Sequence, residues 1–314
     1  MKSIIGQLKI GLLIPTLNAG EKWKETLRTI SDQNIEVHKK IIIDSGSTDD
    51  TVTCAISHGF EVHRINKNEF GHGKTRQQLV DLAGNADICI FLTQDAILAS
   101  ADSLKNLVSV FTDPQVGLAY GRQLPHKGAK ALETHARLYN YPAESSIHSM
   151  ADSERLGFKI FFCSNSFAAY RTTALSAIGG FSADSIMGED AIAAAKMLIC
   201  GYKKAYVADA TAYHSHSYTL ADEFKRYFDT RVFHEQNKWL IERFGKPTGE
   251  GFKFIKSEIY YTVKNSLQSL AKSFVSIAAK WTGYKMGKYY RKMPVFFLRK
   301  FSMHNYYWVA RKKS

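Results

Sequence analysis

Asp44 closes an apolar run, Ile41-Ile42-Ile43, and opens the polar cluster Ser45–Asp50. A carboxylate there can accept hydrogen bonds from a pyrimidine ring N–H, or it can cap the turn and helix that follow. Asp95 closes another apolar run, Ile88–Leu92, within Thr93-Gln94-Asp95. A hard divalent cation carrying phosphates needs one or two such carboxylates from a protein, although a turn aspartate has the same signature. His214 and His216 alternate along a strand-like stretch and so point the same way, as metal ligands or as a structural pair. Glu189-Asp190 follows Gly188 and opens an alanine-rich segment. A carboxylate at a helix start serves the free N–H groups and the dipole there, or it stands ready to take a hydroxyl proton. Phe70–Arg76 mixes glycines with cations ahead of a helix, a composition suited to a phosphate cradle. The spacings of a P-loop, a dinucleotide fingerprint and a hydrolase nucleophile elbow are absent.

These residues need a scaffold, and the apolar patterning supplies one. Lys9–Pro15, Lys39–Asp44, Phe60–Ile65, Asp87–Leu92 and Val116–Tyr120 read as strands. Helical spacing appears at Trp23, Leu27 and Ile30, over Gly73–Ala83 and over Leu104–Phe111. This alternation predicts an α/β chain, a mostly parallel sheet flanked by helices. Ligands bind beyond the carboxyl ends of such strands, where Pro15-Thr16, Asp44 and Gln94-Asp95 all fall. Farther on, Phe162–Tyr170, Lys204–Ala208 and Ala210–His216 read as strands, and Ala191–Cys200 and Leu220–Phe244 as helices.

Among the 314 residues are 42 Lys and Arg against 29 Asp and Glu, a net charge of +13. The segment 251–314 alone holds 14 basic residues and one acid, Glu258, so residues 1–250 are neutral overall. A neutral body, 1–246, and a basic helical extension, 247–314, are therefore expected. Taken as one helix, Ile255–Trp281 gathers its apolar residues within about 140° at 100° per residue. Two accounts fit that arc: contact with an anionic membrane surface, or packing on the core or on a second copy in a homo-oligomer. A nucleic-acid partner would explain the charge but leaves the strand-end acids without a purpose, so none is expected. The four scattered cysteines form no C-x-x-C pair, the N-terminal stretch has no leader pattern, and no apolar stretch reaches ~18 residues. A cytoplasmic, reduced protein is expected.

The motifs IPTLNAG (14–20), IIIDSGSTDDT (41–51), LTQDA (92–96), GGF (179–181) and GED (188–190) resemble, in order and spacing, those of family 2 glycosyltransferases. FGHGKTR (70–76) and HSHSY (214–218) are similar to the bacterial rhamnosyltransferase branch that builds O-antigen and other surface polysaccharides. The resemblance implies a GT-A fold, a nucleotide-sugar donor such as dTDP-L-rhamnose, Mg²⁺ or Mn²⁺, inversion at the anomeric carbon and a lipid-linked saccharide acceptor. An acceptor of that type places the enzyme peripherally at the inner face of the cell membrane. By position, Pro15, Thr16 and Asp44 hold base and ribose, and Arg76, Gln94 and Asp95 contact the donor. Asp95 and His214 ligate the metal, and Asp190 is the general base. The D-x-D motif of the family stands here as Thr93-Gln94-Asp95, without its first acid. A UDP-hexose is the alternative donor.

Overall fold

The computed structural model describes residues 6–246 and 249–310. Nine strands form one sheet: β1 (Ile10–Thr16), β2 (Lys39–Asp44), β3 (Glu61–Arg64), β4 (Ile88–Leu92), β5 (Ile97–Leu98), β6 (Val116–Leu124), β7 (Ser146–His148), β8 (Phe167–Arg171) and β9 (Lys203–Tyr213). Their order is β3-β2-β1-β4-β8-β6-β9-β5, with β7 also on β9. β1, β2, β3 and β4 pair in parallel. β8 runs antiparallel to both β4 and β6, and β6 is parallel to β9. β1, β2, β3, β4, β6 and β9 therefore share one direction and end at one edge. Strands buried on both faces read as unbroken apolar runs. In β1, Leu12 and Ile14 pack on one face of the sheet and Leu13 on the other.

The structure refines several sequence expectations. The expected strands Lys204–Ala208 and Ala210–His216 form one strand, β9, which ends at Tyr213 and leaves His214–His216 just beyond it. It is interrupted by an irregularity, since Gly121 faces Val207 but the next residue, Arg122, faces Thr211. Residues 162–166 are not strand; β8 begins only at Phe167. The helix expected over Leu220–Phe244 is two, Leu220–Gln236 and Lys238–Phe244, parted at Asn237 (φ −116°, ψ 49°). The expected single helix over Ile255–Trp281 is also two, Glu250–Asn265 and Leu270–Gly287, broken at Ser266 (φ −164°, ψ 79°). The division expected at 246/247 falls at residues 247–248, outside the described ones.

The helix Leu270–Gly287 lies along Leu220–Gln236 at very short range. A Cβ on Gly283 would come within 2.2 Å of the Phe224 carbonyl oxygen, and one on Gly287 within 2.6 Å of the Phe228 carbonyl oxygen. Small residues on that face let the two backbones touch, as larger ones could not. The chain then returns to the body. Asp229 accepts a hydrogen bond from the Met303 N–H at 2.8 Å, and the His304 ring meets His72 at 3.2 Å.

Candidate active site

β4, β6 and β9 end at the same edge of the sheet, with antiparallel β8 between β4 and β6, and the residues beyond their ends converge. Asp95 Oδ1 lies 3.5 Å from His214 Nε2, and Asp95 Oδ2 lies 3.7 Å from His216 Nε2. The two Nε2 atoms are 3.1 Å apart. The three potential ligand atoms lie within 4.8 Å of one another. Gln123, buried on β6, fixes the chemistry of His214. Its Oε1 accepts from Arg137, which can only donate, and the same oxygen faces His214 Nδ1 at 2.8 Å. His214 Nδ1 therefore carries the proton, and the Nε2 lone pair points into the cluster. Burial depresses the His214 imidazole to about 3, so it stays neutral. One carboxylate and two imidazoles suit a divalent transition-metal cation such as Mn²⁺ better than Mg²⁺, which prefers oxygen ligands.

Asp190 sits in the first turn of the helix Glu189–Ile199, after Gly188 in a left-handed conformation (φ 74°). A Cβ there would also come 2.7 Å from the Phe233 ring, so glycine is required on both counts. Asp190 accepts hydrogen bonds from the Asn165 N–H at 3.1 Å and the Ala191 N–H at 2.8 Å. Burial, and next the charge of Glu189, push its carboxyl up to about 7. Glu189 is buried, with Arg76 at 2.9 Å and the Asn165 amide donating at 2.9 Å. Burial alone would push the Glu189 carboxyl up, but Arg76 and its other partners hold it below its ordinary value. The Tyr170 hydroxyl donates to Asn165 Oδ1 at 2.7 Å and fixes that amide. An ionised carboxylate behind a second one, with unequal environments, gives a base poised near neutral pH.

The segment Ser164–Ser166 ties the two centres together. Asn165 holds Asp190 and Glu189, Ser164 accepts from Gln123, and the Ser166 carbonyl accepts from Thr93, two residues before Asp95.

The other expected site residues have definite places. Asp44 is buried, and its carboxylate accepts from Gly46 N–H (3.0 Å), Ser47 N–H (2.9 Å), Ser47 Oγ (2.5 Å) and Thr16 Oγ1 (3.1 Å). It thus shapes the turn after β2 and locks it to the end of β1. Gln94 holds the loop after β1 through a reciprocal pair with the Leu17 backbone, at 2.8 and 3.0 Å. Pro15 and Thr16 end β1 beside them. Arg76, expected as a cation near the donor, is buried against Glu189 and reaches Asp190 only through it. Of the two glycines of FGHGKTR, Gly73 is required by packing: a Cβ there would lie 1.8 Å from the Ser182 carbonyl oxygen.

Sequence reasoning passed over Gln123 and Asn165; it weighed Glu189 and His216 beside their neighbours but settled the base on Asp190 and the imidazole ligand on His214. Gln123 and Asn165 are single amides inside strand or loop, without spacing that marks them. His216 was marked by its alternation with His214, and Glu189 by its place beside Asp190 at a helix start.

The glycosyl transferase family 2 model matches residues 12–179. The O-antigen chain rhamnosyltransferase RfbN of Salmonella typhimurium is 47% identical over 302 residues, 96% of each chain. The O-antigen chain rhamnosyltransferase WbaN of Salmonella anatum is 44% identical, over 95% of each chain. Among solved structures, the mannosyltransferase PcManGT of Pyrobaculum calidifontis, in complex with GDP-Man and Mn²⁺, superposes with a TM-score of 0.57. It shares 18% identity, over 98% of this chain and 86% of that one. S. aureus TarS 1–349 with UDP-GlcNAc superposes with a TM-score of 0.54 at 14% identity, over 91% and 92%. At such identities the structures share the fold.

Proposed function

The chain belongs to glycosyl transferase family 2, and from that premise we propose that it moves L-rhamnose from dTDP-L-rhamnose onto a hydroxyl of a lipid-linked saccharide, with inversion, during O-antigen synthesis. The observation that carries this reading is the pairing of two centres on one strap, Asp95–His214–His216 and the raised carboxylate of Asp190. The rhamnosyl specificity is supported by the two relatives at 44–47% identity.

Pro15, Thr16 and the Asp44 turn flank the base and ribose, and Gln94 holds the loop that faces them. Asp95, His214 and His216 would hold Mg²⁺ or Mn²⁺, and that cation would supply positive charge for the leaving diphosphate. Asp190 takes the proton of the acceptor hydroxyl as that oxygen attacks the anomeric carbon. Glu189 keeps Asp190 basic enough for this at neutral pH, and Arg76 keeps Glu189 ionised in its buried setting.

On the acceptor side, a cavity of about 350 Å³ is lined by His216, Tyr218, Arg137 and Arg226 at one part and by Lys272 and Lys280 of the C-terminal helices at another. Neither arginine is ion-paired to a carboxylate among the described residues, and the buried Arg137 Nε has no hydrogen-bond partner. The cavity therefore suits an anionic saccharide carrier, and such an acceptor places the enzyme peripherally at the inner face of the cell membrane.

A donor screen tests the reading. With purified enzyme and an O-antigen lipid acceptor fraction, dTDP-L-rhamnose is expected to give product, and UDP-glucose, UDP-galactose and GDP-mannose are not. Product from a UDP-hexose and none from dTDP-L-rhamnose would replace the proposed donor.

A further inference from the structure

The C-terminal helical hairpin is built inside out. Its inner face, against the body, is polar or small: Glu258, Thr262, Ser273 and Ser276 are 0–2% exposed. Its outer face is apolar: Phe252 is 72% exposed, Tyr260 69%, Val263 53%, Phe274 54%, Val275 52% and Trp281 63%. In each helix the three exposed residues recur at helical spacing and share a side. Soluble chains do not normally spend their aromatic residues this way, and exposed apolar faces mark contact surfaces.

The inner face shows that the arrangement is specified. Glu258, the one acid in residues 251–314, is buried and joins the two helices. It accepts from Ser273 Oγ at 2.7 Å and from Lys280 at 3.2 Å, and Lys280 lies 3.7 Å from Glu223 on the body. Gly283 and Gly287 set the helix directly on the Phe224 and Phe228 carbonyls. Turning the apolar face inward would break that clip and bring bulky side chains where not even a Cβ fits.

We infer that this outer face lies in the interfacial layer of an anionic lipid bilayer, with its aromatic and aliphatic side chains among the acyl chains. The proposal takes its purpose from a lipid-borne acceptor, but its evidence is the hairpin itself. Charge selects the bilayer over a second copy. Lys256, Lys264, Lys285 and Lys288 are exposed around the apolar residues, and two copies meeting here would set these lysines against their counterparts with no exposed acid of residues 251–310 between them, since Glu258 is buried. An anionic leaflet attracts the same lysines while their stems lie along the interface. Among the described residues no helix is long and apolar enough to cross a membrane, so the hairpin lies on the leaflet. Its inner face also carries Lys272 and Lys280, which line the acceptor cavity, so the cavity adjoins the lipid-facing element.

Flotation of the full chain with phosphatidylcholine vesicles, with and without phosphatidylglycerol, tests this. Binding is expected with the anionic vesicles and is expected to fall about tenfold or more in the Phe274→Ser/Trp281→Ser double variant. Brominated lipids are expected to quench the tryptophan emission of the wild type much more than that of Trp281→Phe, since Trp23 and Trp308 are buried and Trp239 is partly buried against the core. Donor binding by calorimetry without lipid is expected to be unchanged in these variants, which separates membrane contact from the proposed reaction. Equal flotation of the double variant overturns the proposal. So does a lipid-free dimer that the same variant dissociates, since a second copy would then cover the face.

Discussion

Replacing Asp190 by asparagine is expected to lower kcat for sugar transfer by about 10²–10⁴-fold, the usual range for loss of a positioned general base. Metal and donor binding, measured by calorimetry, are expected to stay within a few-fold of wild type, because Asp190 is outside the Asp95–His214–His216 cluster. Stability is expected to move the other way. Burial and the Glu189 charge raise the Asp190 carboxyl to about 7, so folding favours its protonated form. The stability this gives is complete below the ordinary carboxylate value and is lost as pH climbs through about 7. Asparagine removes the buried charge at every pH and keeps one of the two oxygens that accept from the Asn165 and Ala191 backbone N–H groups. Above pH 7 the variant is therefore expected to melt at a temperature equal to or higher than the wild type. Loss of activity with retained or improved stability separates a chemical role from a structural one. A lower melting temperature at pH 8 would show that the carboxylate serves the fold.

The second large effect is expected at the metal cluster. Chelation with EDTA is expected to abolish transfer, and added Mn²⁺ or Mg²⁺ to restore it. Asp95→Ala and His214→Ala are each expected to remove measurable Mn²⁺ binding in the presence of the donor. Gln123→Leu leaves all three ligands in place but takes away the oxygen that orients His214. Its Mn²⁺ affinity is expected to drop about 10–100-fold, as is usual when a partner behind a ligand is lost. Full activity in EDTA, or wild-type Mn²⁺ affinity in His214→Ala, would contradict the ligand assignment. Gln123→Leu with unchanged affinity would confine the error to the orienting role. Thr93 stands where the first acid of the D-x-D motif would, and here the Asp95 carboxylate lies instead beside two imidazoles from beyond β9.

Much of the scaffold was legible because strands buried on both faces leave long apolar runs, and those of β1, β2 and β4 end at polar residues at one edge of the sheet. His214 and His216 were legible as a pair because alternation along a strand is a local property. Their meeting with Asp95 was not local: it depends on β4 and β9 running in the same direction with β8 and β6 between them. Arg76 and Gln94 carried the right polarity for ligand contact, yet each is engaged within the protein, by Glu189 and by the Leu17 backbone. A side chain of that kind looks the same in sequence whether it faces a ligand or a neighbouring loop. The tail shows the limit most clearly. Its amphipathic pattern was visible, but a helical wheel cannot tell which face turns inward. Here the serine and glycine stripe packs inward because backbone contact with residues 224–228 requires it, and the apolar arc is left outside.

The account stands on a base tuned by its buried neighbour, and the pH dependence of kcat for rhamnosyl transfer reads that tuning directly. For the wild type, kcat is expected to rise with unit slope and level off above about pH 7, because Asp190 must be deprotonated to take the acceptor proton. In Glu189→Gln the acid limb is expected to move to lower pH, because the charge that raises Asp190 is gone. A wild-type profile that is flat from pH 5 to 9, or an acid limb that stays in place when Glu189 is neutralised, would contradict it.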